Sequence, residues 1–157
     1  MTSVSFRKAK YRLASQLRTG PGLSRSTALQ RAEAAVAGMR EQLLAELDAK
    51  IAAAEAALAD ALRQKGGPAL DVIYDCGDGL AGIAGACGQD AVADAALGAC
   101  DLIDWMRSEQ RWSANALTVH VSAFRVLKDD QTGAAAPAVL DGLAKVRARV
   151  FATTGEG

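Results

Sequence analysis

Residues Asp71–Gly88 constrain the fold of this chain more than any other stretch. They read D-V-I-Y-D-C-G-D-G-L-A-G-I-A-G-A-C-G, with glycine at 77, 79, 82, 85 and 88. Such a composition ordinarily weakens a helix. Yet Leu70, Ile73, Gly77, Leu80, Ala81, Ala84 and Cys87 recur at intervals of three and four, the spacing of one buried helix face. Each interior glycine costs a helix about 0.5–1 kcal/mol relative to alanine. A helix that keeps several of them needs something close to its backbone. That is either a neighbouring helix packed tightly against it or a partner docked on its outer side.

Elements on both sides share the helical period. Gly20-Pro21-Gly22 is a breaker, and Ser24 or Ser26 can cap the helix that follows. From there Leu29, Ala32, Val36, Met39, Leu43, Leu47, Ile51, Ala54, Leu58 and Leu62 repeat at threes and fours, until Gly66-Gly67-Pro68 ends the run. Forty helical residues extend about 60 Å, longer than a compact bundle, so the stripe is read as core or as a dimer seam. After Gly88 a helix is expected over about 89–107, with Val92, Ala95, Ala96, Ala99, Leu102, Ile103 and Met106 inward. Trp112 and Ser113 open the next, whose face runs through Leu117, Val121, Phe124 and Leu127 or Lys128. A loop over 129–133 precedes a last helix near 136–151, carrying Val139, Leu143, Val146 and Val150.

Composition narrows the function classes. The chain has 157 residues, is 50% hydrophobic and has only 3 prolines. These values favour one all-α domain over a sheet. No apolar run reaches the ~18 residues of a membrane span. Formal net charge is zero, so nothing in the total asks for nucleic acid. The charges are nonetheless segregated. Seven Lys or Arg and no acid fall within 1–31, whereas Asp71, Asp75, Asp78, Asp90, Asp94, Asp101 and Asp104 lie between Lys65 and Arg107. The basic N-terminus reads as a solvated tail, as a transit peptide, or as a segment that folds back on the acidic helix pair. Cys76, Cys87 and Cys100 suit a reduced, cytoplasmic chain better than a disulfide frame. Their spacing, with one histidine, makes no zinc site. The G-x-x-G spacings are not a P-loop, because no G-K-[ST] follows. No cofactor and no metal are expected.

The central stretch resembles the core helix of histidine-phosphotransfer (Hpt) domains, four-helix bundles that shuttle phosphoryl groups in two-component phosphorelays, and above all those of alphaproteobacterial type. The family pattern there runs roughly I-Y-x-x-x-H-D-I-K-G-Q-G-G-x-x-G. Ile73 and Tyr74 match its opening, Leu80 its apolar position, and Gly82, Gly85 and Gly88 three of its glycines. Weaker likenesses lie at Arg31–Ala37, Cys100–Asp104, His120–Arg125 and Leu140–Val146. The resemblance implies an antiparallel four-helix bundle with a long N-terminal helix and an additional C-terminal helix. It also implies a basic extension over 1–24, the bundle over 25–151 and a flexible tail over 152–157.

Both residues that carry the family's chemistry are missing here. Asp78 stands at the phosphohistidine position and Ala81 at the lysine position. A carboxylate cannot form the phosphoramidate that phosphohistidine provides. Aspartyl phosphate would call for a divalent cation and a lysine. The resemblance therefore implies a pseudo-phosphotransfer protein, not an enzyme, that binds a receiver domain or a histidine kinase through Tyr74, Asp75, Asp78, Gly79, Gly82 and Gly85. Two alternatives stand beside it: an active phosphocarrier using His120, the only histidine, and a structural helical homodimer without a signalling partner.

Overall fold

A computed structural model describes residues 24–153. The expected basic extension lies outside them apart from Ser24, as do the Gly20-Pro21-Gly22 breaker and residues 154–157 of the expected tail. The described chain is all-helical: α1 (Arg25–Gln64), α2 (Pro68–Ala86), α3 (Asp90–Ser108), α4 (Ala114–Asp129) and α5 (Ala136–Ala152), with no strand among the described residues. No helix there is long and apolar enough to cross a membrane.

The helix ends follow from local chemistry. Ser24 caps α1, its Oγ accepting the Thr27 N–H at 3.1 Å, which satisfies one of the otherwise orphaned donors of the first turn. Three helices close with a backbone bond that spans the last turn and a residue in the left-handed region. The bonds are Gly66 N–H to the Ala61 carbonyl, Gln89 N–H to Ala84, and Arg111 N–H to Met106; the left-handed residues are Lys65, Gly88 and Gln110. This is the Schellman arrangement. Only Gly88 adopts its φ of 74° without steric cost. The α4–α5 loop is braced by Asp130, whose carboxylate accepts the Thr132 hydroxyl at 2.9 Å and the Ala135 N–H at 2.7 Å.

The chain divides into two units between Met39 and Arg40, inside α1. In the first, Leu29, Val36 and Met39 are 58, 63 and 59% exposed. In the second, the same stripe goes inward, and Leu47, Ile51, Ala54 and Ala61 are buried. The apolar stripe of one helix thus has two fates: core from Leu47 onward, open face before Arg40.

In the second unit α3 is the central helix. It packs against α2, α4 and α5, which explains why Gly98 and Cys100 are buried in addition to the expected Val92–Met106 stripe. The side left to solvent is a narrow stripe, Asp90, Asp94, Leu97, Asp101 and Asp104. Arg125 on α4 reaches α1, pairing with Glu55 at 2.8 Å and Asp48 at 3.2 Å, and Lys128 pairs with Asp48 at 2.9 Å. The last helix is the most loosely embedded. Of its expected stripe only Leu143 is buried, while Val139, Val146 and Val150 are half-buried.

Candidate docking surface

α2 divides into two unlike faces. Leu70, Ile73, Cys76, Gly77, Leu80 and Ala84 point inward. On the outer side Asp71, Asp75, Asp78, Gly82 and Gly85 follow one another at intervals of four and three, and all five are exposed. Asp78 therefore projects to solvent in the middle of a stripe that is acidic toward the helix start and bare toward its end.

The glycines separate into two groups by what surrounds them. A Cβ at Gly77 would come within 3.0 Å of Cys100 Sγ and 3.5 Å of the Ala96 carbonyl oxygen, so this glycine lets α2 and α3 approach. At Gly79 a Cβ would lie 2.7 Å from Lys50 Cε and Nζ, so the α1 lysine lies across the helix there. Among the described residues a Cβ at Gly82 would meet nothing within 4 Å, and one at Gly85 would meet only Asp90 Oδ1 at 4.0 Å. Tight internal packing accounts for Gly77, whereas at Gly79 only the mobile end of the Lys50 side chain would have to give way. Internal packing does not account for Gly82 or Gly85.

A polar cluster borders the acidic end. Tyr74 is half-buried, and its hydroxyl donates to Asp104 Oδ2 at 3.3 Å. Arg107 stacks over the Tyr74 ring with Cζ 4.9 Å from the centroid. The same guanidinium pairs with Asp71 and, at 3.7 Å, with Asp104. The Asp104 charge, followed by desolvation, raises the Tyr74 pKa above its ordinary value, so the phenol stays protonated as a donor. This cluster ties α2 to α3 and holds Tyr74 beside the stripe.

The nucleophiles nearby are quiet. Cys100 is buried, and burial followed by the charges of Asp78 and Asp104 pushes its thiol up to about 11, far from a reactive thiolate. Burial also raises Cys76, against the opposing charge of Lys50. Among the described residues no group of His, Cys, Asp or Glu is arranged to hold a metal. Ala81 is half-buried. Lys50, which sequence spacing could not associate with α2, is the cation that lies nearest this helix from α1, and it pairs with Glu46 at 3.5 Å. Asp78 is thus an exposed carboxylate on α2, and the thiols of Cys76 and Cys100 beside it are buried.

His120 does not belong to this surface. It is 0% exposed, with Nδ1–H donating to the Ala116 carbonyl at 2.8 Å and Nε2 without a partner among the described residues. A phosphoryl donor has no approach to an enclosed imidazole, which argues against the phosphocarrier alternative. Burial holds the ring below its ordinary pKa of 6.5, outweighing the Ala116 bond, and Arg147 lowers it further. The unfolded chain thus takes up the proton first as pH falls. Stability should be unaffected by this group above about pH 6.5 and should fall below it, by up to about 1.4 kcal/mol per pH unit. Urea titrations at several pH values should show that slope, and H120L should flatten it; an unchanged slope in the variant would assign the acid sensitivity elsewhere.

The chain matches no protein-family profile, no curated protein and no solved structure.

Proposed function

We propose that this protein is a non-catalytic relative of histidine-phosphotransfer domains, which docks a receiver domain or a histidine kinase on the outer face of α2. The observation that supports this reading best is the open stripe itself. Asp78, at the position of the missing phosphohistidine, is exposed between the Tyr74–Asp104–Arg107 cluster and two glycines whose missing side chains leave the helix bare. Gly82 and Gly85 weaken α2 without serving any contact inside the fold, and a partner pressed against the backbone would supply a reason for them. The acidic half of the stripe would steer a partner carrying basic residues around its own docking helix. On this reading the protein works in the cytoplasm, and its three free, buried thiols suit a reducing compartment. It blocks, bridges or tunes a relay without carrying phosphoryl groups.

The test is calorimetric titration of the full chain against receiver domains and kinase dimerisation domains. A specific complex should form, and G82R or D78R should weaken it at least tenfold, about 1.4 kcal/mol, without lowering Tm. Binding that is indifferent to both changes would move the docking face away from α2. Phosphorylated receiver should leave no acid-labile label on the protein.

A second reading, a structural homodimer, is favoured by the exposed Leu29, Val36 and Met39 on one helix face. Light scattering separates the two: a dimer abolished by charges at those positions, with no receiver or kinase bound, would replace the docking reading.

A further inference from the structure

We propose that the end of the bundle carrying both tryptophans binds a nucleotide. Two clefts meet there and share Arg111 and Trp112. One, of about 290 Å³, also takes in Lys65 and Arg107; the other, of about 440 Å³, takes in Trp105 and Arg149. Among the described residues four cations line this region and no carboxylate does, in a chain whose formal charge sums to zero. Such one-signed clefts concentrate anions.

The cations are not all neutralised by the fold. Arg107 is held by Asp71 and Asp104. Arg111 uses Nη1 on the Thr153 carbonyl at 2.6 Å, which anchors the guanidinium, and it has no ion pair among the described residues. Lys65 and Arg149 have no ion pair among the described residues. A phosphate would receive forked donors from arginine and a point charge from lysine.

The aromatics decide between a bare anion and a nucleotide. Trp105 and Trp112 are half-buried, each leaving part of its ring at a cleft. Trp105 is braced from behind by Phe151, with ring centroids 5.4 Å apart. An indole face beside unpaired cations suits a planar base joined to a phosphate, because stacking and charge then act on one molecule. The cleft volumes match those of small-ligand sites. The clefts share Arg107 with the cluster beside α2, but none of the exposed stripe residues Asp71, Asp75, Asp78, Gly82 and Gly85 lines them.

These are the only two tryptophans, so their fluorescence reports on the site directly. The full chain would be titrated with AMP, GMP, inorganic pyrophosphate and adenosine, with calorimetry alongside. A nucleotide should give a saturable change that weakens with salt. Adenosine should bind at least about tenfold more weakly, having lost its charged hydrogen bonds, and pyrophosphate should compete. K65A and R149A, at side chains without ion pairs, should each weaken the nucleotide several-fold with Tm unchanged, and W112L should erase the advantage of nucleotide over pyrophosphate. No saturable response into the millimolar range overturns the site. Equal affinity for pyrophosphate and nucleotide overturns the base-stacking part. Much tighter binding of a single-stranded oligonucleotide would make this a nucleic-acid surface instead. None of these outcomes depends on whether a receiver or kinase docks on α2.

Discussion

Replacing Phe124 by alanine should destabilise the protein by about 3–5 kcal/mol. Phe124 is the largest side chain wholly excluded from solvent among the described residues, and it sits on the inner face of α4 with Leu117, Val121 and Leu127. Its removal loses the transfer free energy of the ring and leaves a cavity that flanking helices can only partly fill, because interiors are close-packed. Domains of this size are stable by about 5–15 kcal/mol in total, so the loss takes a large share of the margin. Urea denaturation should show a lower midpoint with an unchanged slope, and Tm should fall by roughly 6–20 °C. A loss below about 1 kcal/mol would mean that α4 does not pack as described here.

The second expectation contrasts two glycines of one helix. G77L should cost about 3 kcal/mol or more, at the upper end of overpacking effects. The new side chain would begin 3.0 Å from Cys100 Sγ and 3.5 Å from the Ala96 carbonyl, and α2 could admit it only by separating from α3. G82A should instead stabilise the protein by about 0.5–1 kcal/mol. Among the described residues nothing lies within 4 Å of the added methyl, and alanine is the better helix former. Thermal melts of the two variants should therefore move in opposite directions. If both were destabilising, Gly82 would have an internal partner and the outer face of α2 would not be free. A stabilising G82A that also weakens receiver or kinase binding would show stability given up for a contact surface, as expected where function and packing conflict.

Much of the architecture was legible before any coordinates. The α1 limits are set by Ser24 and by Gly66-Gly67-Pro68, and the α2–α3 break by Gly88, because capping and left-handed turns are settled within a few residues. Spacing placed most of the inner faces of α2 and α3, although Ala81 is only half-buried and Cys76, outside the expected stripe, is buried. Other features were hidden because they depend on neighbours distant in the chain. Burial of Gly98 and Cys100 required knowing that three helices surround α3. The outward turn of Leu29, Val36 and Met39 could not be told from the inward turn of Leu47 and Ile51, since one period describes both. His120, the one candidate phosphoacceptor on sequence grounds, is enclosed because its face of α4 points inward.

What the amino-acid order determined by itself was the set of helices, their ends and the apolar side of most of them, because these depend on interactions a few residues apart. Only the tertiary structure decided which glycines are crowded and which are bare, that Lys50 lies across Gly79, that Arg107 gathers Tyr74, Asp71 and Asp104, and that Lys65, Arg111, Arg149 and both tryptophans share one end of the bundle. Those facts arise from distances between separate helices, and such distances are set by how side chains of the whole core fill space together.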